Sequence, residues 1–304
     1  MQLSQIDVRL AYDVCGPAHF CFNLEAAQVP GQRIISEQLV VDPDVELRRF
    51  TDLVTGTRFL RIDAPKGELN IRYRAQVERL ASPLRPGLRP TLRSRRSGRA
   101  IIENLPEVPV SAVPDEVLPY IMPTRYCQSD VMGRAARQLF GDLPPGLSRV
   151  QAISDWIHDS ISYEPGSTDS TSTAQEVFVQ RAGVCRDFAH LGVTFCRALN
   201  IPARFVVGYV WFDEPPQDFH AVFEAWLGDR WVLFDPTRMA PVENLVRVGA
   251  GRDAKDVAFS TIFGPVSMKT KELSVREYEA EKPRTYVRPG ARVGESARRV
   301  MLIA

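Results

Sequence analysis

The sequence has few of the features that mark secreted, membrane-spanning or nucleic-acid-binding proteins. Its five cysteines are odd in number and include no Cys-x-x-Cys pair, which argues against a disulfide framework or a four-cysteine zinc site and favours a reducing compartment. No uncharged apolar run is long enough to cross a bilayer. Lysine plus arginine (38) nearly balances aspartate plus glutamate (37), so no strong overall charge attracts nucleic acid or an anionic membrane.

The N-terminal sequence also lacks the basic segment and the apolar stretch of a secretory signal. We therefore expect a cytoplasmic protein without a membrane segment. Hydrophobic residues make up 44% of the 304-residue chain and charged residues 25%, as in ordinary globular proteins, and this excludes wholesale disorder. The length suits one large domain or two ordinary ones.

Residues 1–82 are predicted to form an antiparallel β-sandwich. Apolar residues alternate with polar ones at Leu69, Ile71, Tyr73, Ala75 and Val77, and again at Ile6, Val8, Leu10 and Tyr12. This period of two predicts strands with one buried face. Turn-forming pairs such as Thr55-Gly56 separate the short β-rich runs, and no stretch of this region shows a convincing helical period.

Residues 83–125 are predicted to be an extended linker. Eight of the chain's 23 prolines fall in this segment, and proline at this density disfavours regular helix. Six arginines lie between Arg85 and Arg99, which would suit either a patch for nucleic acid or a partner, or a solvated linker. We prefer the linker because no aromatic residues are interleaved, so no nucleic-acid partner is expected.

Residues 126–282 are predicted to form an α+β domain, and residues 283–304 an extended C-terminal tail. Helical spacing of apolar residues begins near Ser129, and strand-like runs rich in Val, Phe, Tyr and Trp cover 203–212 and 219–235. Helices followed by strands within one segment are typical of the α+β class.

Cys185 is placed where a thiol can become a nucleophile. Thr173-Ala-Gln-Glu176 has the form of a capping box and predicts a helix start, and Gly183 is expected to end that helix. A second helix is predicted from Cys185 to Leu199. The unpaired N–H groups at its start would stabilise a thiolate. A lone cysteine on a helix is more often a small buried apolar residue, so this position alone establishes no role.

A predicted hairpin brings a histidine and an aspartate together. Gly228-Asp229 suits a two-residue type II′ turn, which pairs Trp226 with Trp231. In this register His220 and Asp235 lie on one face of the sheet as diagonal neighbours on adjacent strands. A shift of one residue would place the two side chains on opposite faces.

These three residue types support acyl transfer through a thioester. His220 would take the proton of Cys185, and Asp235 would hold the imidazole in the useful tautomer and stabilise its charged form. The backbone N–H of Cys185 could help to bind the oxyanion of a tetrahedral intermediate.

Four further residues are weaker candidates for binding substrate or the oxyanion: Tyr163, Arg186, Asp187 and Trp226. Tyr163 would donate its hydroxyl to an oxyanion, or it is a packed tyrosine. Arg186 and Asp187 would orient the substrate, or Asp187 is an acid that favours a helix N-terminus. Trp226 would line a substrate cleft, or it belongs to the core.

No metal or other cofactor is expected. Cys15, His19 and Cys21 are close in sequence but have no fourth ligand at a recognised spacing. The sequence also has no phosphate-binding loop of the Gly-x-x-x-x-Gly-Lys form and no His-Glu-x-x-His motif.

The stretch from 181 to 237 resembles the motifs of the transglutaminase-like superfamily. Its cysteine motif is similar to Arg181-Ala-Gly-Val-Cys185-Arg-Asp-Phe-Ala-His190. Its histidine and aspartate motifs are similar to His220-Ala-Val-Phe-Glu-Ala-Trp226 and Trp231-Val-Leu-Phe-Asp-Pro-Thr237. The order and spacing are those of the bacterial branch described as cysteine proteases. Gly251-Arg-Asp-Ala-Lys-Asp-Val257 resembles a segment that follows the aspartate motif in that branch.

The resemblance implies a papain-like α+β catalytic core with Cys185 as nucleophile, His220 as base and Asp235 as orienting residue, preceded by a β domain. The expected function is thiol-dependent hydrolysis of an amide in a peptide or protein substrate. The alternatives are transfer of the acyl group to an amine, as in protein-glutamine transglutaminases, and a scaffold with little turnover. The chain is shorter than the animal cross-linking enzymes, has Arg186 where they have a tryptophan and shows no calcium-loop pattern, which favours hydrolysis.

Overall fold

Two antiparallel sheets contain the strands of the N-terminal region. The computed structural model describes residues 2–80, 92–93, 100–101 and 105–279. The first strands are β1 (Gln2–Val14), β2 (Ala18–Phe22), β3 (Gln32–Asp42), β4 (Leu47–Thr51), β5 (Arg58–Ala64) and β6 (Gly67–Arg79).

The later elements alternate between helices and strands. They are β7 (Leu92–Arg93), β8 (Ala100–Ile101), α1 (Gly133–Phe140), α2 (Leu147–Ser160), β9 (Ser162–Tyr163), α3 (Ala174–Gln180), β10 (Ala182–Gly183), α4 (Cys185–Ala198), β11 (Ala203–Tyr209), β12 (His220–Leu227), β13 (Arg230–Phe234), β14 (Val246–Gly251), β15 (Ser260–Phe263) and β16 (Val266–Glu279). Short 3₁₀ helices cover Val110–Ala112, Leu118–Ile121 and Val242–Asn244. Within the described ranges, no helix combines the length and apolarity needed to span a bilayer.

The core of the N-terminal region has the alternation that the sequence predicts. One sheet has the strand order β16-β1-β6-β3 and the other β15-β2-β5-β4. The inward residues are at most 3% exposed: Ile6, Val8, Leu10 and Tyr12 on β1, and Leu69, Ile71, Tyr73, Ala75 and Val77 on β6. The Tyr12 ring packs edge-on against Phe20 of the other sheet, with centroids 5.2 Å apart. The predicted strand pattern is therefore confirmed.

The last two described strands pair with the N-terminal sheets. Strand β16 runs antiparallel to β1, with Val266 opposite Val14 and Glu279 opposite Gln2, and β15 pairs with β2. Residues 260–279 fall within the predicted α+β domain of residues 126–282, whereas the strands that they form pair with the sandwich. Local periodicity identifies a strand but not a pairing partner more than 200 residues away.

Part of the predicted linker packs on the α+β domain. Four of its apolar residues are at most 9% exposed: Leu105, Val113, Val117 and Tyr120. The carbonyl of Pro106 accepts a hydrogen bond from the N–H of Gly228 at 2.8 Å. Residues 105–125 are therefore irregular, as their prolines predict, but they are not a wholly solvated connection. The tail 283–304 and, apart from Arg93 in β7, the arginine cluster lie outside the described residues.

Helix α4 packs on the third sheet, which has the strand order β13-β12-β11-β14. The contact between α4 and β12 is close because Gly192 has no side chain. A Cβ at Gly192 would lie 2.4 Å from the ring of Phe223, which is fully buried and stacks on Phe234 with centroids 5.3 Å apart. This contact fixes the distance between the helix that begins at Cys185 and the strand that begins at His220.

Gly192→Ala is expected to destabilise the protein by about 1–3 kcal/mol, the usual cost of overpacking a core. Alanine favours a helix over glycine by only about 1 kcal/mol, so the clash with Phe223 outweighs the gain in propensity. The free energy of unfolding, measured by urea titration, tests this. Gly133→Ala in α1 is the matched control, because its Cβ would meet only the flexible end of Arg137 at 3.3 Å. Equal denaturation midpoints for the two variants would contradict the close-packing explanation.

Candidate active site

The start of α4 is held by a buried carboxylate. The N–H of Val184 donates to Asp187 Oδ2 at 2.9 Å, and the hydroxyl of Thr168 donates to the same oxygen at 2.6 Å. Both Nε and Nη2 of Arg186 donate to Asp187 Oδ1, at 3.0 and 2.9 Å. Asp187 thereby satisfies an N–H at the helix start and ties the loop that contains Thr168 to the turn before Cys185.

The side chain of Asp187 is buried and bonded within the protein. Its side chain is 1% exposed, and its oxygens are occupied by groups of the protein. Arg186 is partly exposed but engaged with Asp187 and Thr168. Asp187 therefore holds the start of α4, and both of its carboxylate oxygens have partners within the protein.

Gly183 has a different role from the predicted one. Helix α3 has the predicted capping box at Thr173 and Glu176, but its left-handed C-cap is Arg181, with φ of 62°. Gly183 instead lies against Asp187, where a Cβ would come within 2.8 Å of the Asp187 Cβ. Glycine is needed here for a close approach rather than to end the helix.

The hairpin of β12 and β13 has the predicted register. Trp226 lies opposite Trp231, and Glu224 lies opposite Leu233. Gly228 has φ of 64°, and Asp229 is not among the residues with positive φ, as a type II′ turn requires. The prediction that His220 and Asp235 share a face follows from this register.

His220 and Asp235 are hydrogen bonded in the interior. His220 Nε2 lies 2.8 Å from Asp235 Oδ2, and the two side chains are 2% and 3% exposed. The other carboxylate oxygen, Oδ1, accepts from the N–H of Thr237 at 2.9 Å and from its hydroxyl at 2.7 Å. Thr237 was not singled out from the sequence, although Asp-Pro-Thr is a form in which an aspartate often bonds the backbone two residues on.

His220 lies in an environment that favours its charged form. Burial would lower the pKa of His220, but the hydrogen bond to Asp235, the neighbouring Cys185 and the charges of these two residues outweigh burial and raise the pKa to about 10. In the described part of the chain, the buried Nδ1 atom has no hydrogen-bond partner. Since Nε2 is occupied by Asp235, Nδ1 is the nitrogen left for the thiol. In this structure Cys185 Sγ lies 3.9 Å from the carbonyl oxygen of Phe219.

Tyr163 also lies beside Cys185. Strand β9 pairs in parallel with β10, which places Tyr163 next to Gly183, and its ring lies 5.8 Å from that of Phe188. Burial raises the pKa of Tyr163, and the neighbouring Cys185 and Asp218 raise it further. The hydroxyl therefore remains protonated at neutral pH and can act as a hydrogen-bond donor.

Trp226 is not brought to this site. It lies six residues after His220 on β12, which separates their Cα atoms by about 20 Å along an extended strand. Its ring packs edge-on against Trp231, with centroids 5.3 Å apart. Trp226, although it shares a sequence motif with His220, thus packs against Trp231 at the opposite end of the strand.

Residues 251–257 support α4 away from the thiol. The N–H of Ala254 donates to His190 Nε2 at 3.1 Å, and Arg197 Nη2 donates to the carbonyl of Arg252 at 2.5 Å. Burial lowers the pKa of His190 to about 3, so this histidine is a neutral acceptor. The segment therefore holds α4 through His190 and Arg197, away from the helix start at Cys185.

Comparison with known proteins identifies the family. The family model of the transglutaminase-like superfamily core matches residues 134–236, and that of the bacterial transglutaminase N-terminal domain matches residues 3–81. The crystal structure of a Cytophaga hutchinsonii protein described as a putative cysteine protease is 36% identical, covers 92% of each chain and superimposes with a TM-score of 0.80. The chain belongs to the transglutaminase-like superfamily. The resemblance and the α+β fold class inferred from the sequence are thus confirmed.

Two mycobacterial proteins are also similar over most of the chain. A Mycobacterium leprae protein described as uncharacterized is 29% identical over 259 residues, which is 80% of this chain and 86% of that protein. A Mycobacterium tuberculosis protein with the same description is 27% identical over 249 residues, 74% of this chain and 75% of that protein. The similarity extends beyond the core that contains Cys185, His220 and Asp235.

Proposed function

We propose that this transglutaminase-like protein is a cysteine peptidase or amidase in which Cys185, His220 and Asp235 form the catalytic triad. The observation that supports this most directly is the state of His220. The imidazole is buried with Nε2 on Asp235, and its Nδ1 has no partner among the described residues. The thiol of Cys185 lies 3.9 Å from the carbonyl oxygen of Phe219, the residue before His220. This is the arrangement that a base for Cys185 needs.

The chemistry begins with a thiolate–imidazolium pair. His220 Nδ1 takes the proton of Cys185, and Asp235 stabilises the resulting imidazolium through Nε2–H. The thiolate attacks the amide carbonyl carbon, and the C=O electron pair moves onto oxygen. As that pair returns, the C–N bond breaks and His220 gives its proton to the leaving amine. A thioester on Cys185 remains.

Two donors would bind the oxyanion of the tetrahedral intermediate. The backbone N–H of Cys185 lies at the N-terminus of α4, where the helix dipole favours negative charge. The protonated hydroxyl of Tyr163 lies beside the same residue. We propose that Tyr163 is the weaker of the two donors to the oxyanion, and we propose no such role for Trp226.

Water then attacks the thioester, with His220 as base, and releases the acid. Transfer to an amine uses the same thioester, so protein-glutamine transglutamination is the alternative outcome. Incubation of a glutamine-containing peptide with and without a primary amine distinguishes them. Formation of the thioester releases ammonia, or a peptide, in both cases. Hydrolysis then adds water to the acyl group, whereas transamidation adds the amine in its place. If neither product forms and the thiol of Cys185 is unreactive, the scaffold alternative is favoured.

Alkylation of Cys185 by iodoacetamide should be fast well below pH 8. The imidazolium of His220 has a pKa of about 10, so it remains charged across neutral pH and is lost only as the pH rises through about 10. A thiolate paired with it reacts where an ordinary thiol, with a pKa of about 8.5, is mainly protonated. Mass spectrometry of all five cysteines gives the rate at each site from pH 5 to 10.

His220→Ala and Cys196 provide the controls for that experiment. The variant should react only as an ordinary thiol, with its rate rising near pH 8 to 9. Burial raises the pKa of Cys196, so Cys196 in the folded protein should remain unreacted. If Cys185 in the native protein has the profile of the variant, the ion pair is absent and the scaffold becomes the better interpretation.

A further inference from the structure

The loop of residues 210–219, which we call the β11–β12 loop, forms one side of the candidate active site. Phe212 lies against the His220 ring, with ring centroids 5.7 Å apart, and is 4% exposed. At the other end of the loop, the carbonyl of Phe219 is 3.9 Å from Cys185 Sγ. The position of this loop therefore affects both the imidazole and the thiol.

The same loop is attached to the sandwich by a hydrogen bond to β16. The side-chain oxygen Oε1 of Gln217 accepts from the backbone N–H of Val275 at 2.5 Å. Val275 is 1% exposed, and β16 is at the end of its sheet in the described strand order. Loss of this acceptor would leave a buried N–H without its partner, which costs more than the usual net value of a hydrogen bond.

An ion pair and two aromatic rings continue this contact. Lys271 of β16 pairs with Asp218 and lies over the ring of Phe259, at 5.7 Å from its centroid. Phe259 stacks on Phe219 with centroids 4.9 Å apart. The ion pair is 35% and 44% exposed, and exposed pairs contribute little by themselves. The hydrogen bond of Gln217, which is partly buried and reaches the buried Val275, is therefore the stronger attachment.

We propose that Gln217 and Lys271 are positioning residues through which the sandwich holds the β11–β12 loop and, with it, the placement of His220 relative to Cys185. The inference rests on the proposed function, since it concerns the thiolate–imidazolium pair of Cys185 and His220. It assigns the N-terminal sandwich a part in catalysis: the strand that returns to the sandwich after the core fixes one side of the active site. A displacement of about 1 Å at a reacting pair can reduce a rate 10²-fold.

The test measures iodoacetamide alkylation of Cys185 as a function of pH in the full chain. Gln217→Ala should lower the rate at pH 7 about tenfold and shift the profile toward that of His220→Ala. Gln217→Glu, which keeps an acceptor for Val275, should remain within about twofold of the native rate. Lys271→Met should lower the rate about threefold. Lys269→Met is the matched control, because Lys269 lies on the same strand and pairs with Asp13 at 2.7 Å, away from the loop.

The outcomes separate this inference from the proposed function. If native Cys185 reacts as an activated thiol but Gln217→Ala and Lys271→Met keep its rate and pH profile, the positioning role is wrong and the proposed function stands. If native Cys185 reacts as an ordinary thiol, both are wrong. Circular dichroism tests whether each variant is folded. If Gln217→Ala does not fold, the alkylation rate of Cys185 in Lys271→Met, compared with that in Lys269→Met, decides whether the positioning role is correct. Equal losses in these two lysine variants would also overturn the inference.

Discussion

Cys185→Ala should eliminate iodoacetamide labelling at this position and reduce amide turnover by more than about 10⁴-fold, because the proposed mechanism forms the acyl intermediate on this thiol. Loss of the nucleophile in a triad enzyme costs nearly as much as loss of the whole triad. The fold should be retained, since Cys185 is only partly buried and the N-terminal cap of α4 is made by Val184 and Asp187. Turnover of a peptide substrate and the unfolding midpoint should be measured on the same preparation.

Cys15→Ala is the matched control for that variant. Cys15 is exposed and lies on the sandwich side of the molecule, where its N–H bonds the carbonyl of Pro265. This variant should keep full turnover and fast labelling at Cys185. Turnover that persists in Cys185→Ala at more than a few per cent would exclude Cys185 as the nucleophile, whatever its reactivity.

Local patterns predict the elements that carry the site. The capping box at Thr173, the helix start at Cys185 and the two-residue turn at Gly228 are each determined by residues within a few positions of one another. The pairing of β12 with β13 follows from the turn, because a short hairpin loop sets the register. The relation of His220 to Asp235 was therefore predictable from the sequence.

Contacts between distant segments were not predictable in the same way. Strand β16 pairs with β1 although more than 250 residues separate Val266 from Val14, and alternation of residues does not specify a partner. The hydrogen bond between Gln217 and Val275 depends on that pairing. Trp226 illustrates the converse limit: closeness to His220 in a sequence motif does not imply closeness to the thiol, because the intervening residues form an extended strand.

Thr237 shows how a residue next to a predicted site can be overlooked. The two carboxylate oxygens of Asp235 have different partners. Oδ2 is bonded to His220, and Oδ1 is bonded to Thr237. The backbone N–H of Thr237 can only donate. It therefore requires an acceptor at the position of Oδ1. In an asparagine at position 235, this requirement fixes the side-chain oxygen on Thr237 and leaves the NH₂ group facing His220.

Asp235→Asn is expected to lower turnover by about 10²–10⁴-fold while the protein remains folded, the upper value being the loss caused by this change in a serine-protease triad. The Thr237 N–H holds the amide oxygen, so the NH₂ group faces His220 Nε2. Nε2 must then accept a hydrogen bond, the ring proton moves to Nδ1, and His220 can no longer take the proton of Cys185. The pKa of His220 should also fall, because burial opposes its charge and the carboxylate that raised it is gone.

The pH profile of alkylation distinguishes this cause from a general structural defect. Asp235→Asn should shift the reactive range of Cys185 upward, toward that of an ordinary thiol, without a large change in the unfolding midpoint. Asp229→Asn removes a carboxylate from the exposed tip of the same hairpin and should leave both the rate and the profile unchanged. A native profile in Asp235→Asn would remove Asp235 from the triad. Glu224 could not replace it, because Arg204 and Arg247 bind its carboxylate and four residues of strand place it about 13 Å from His220.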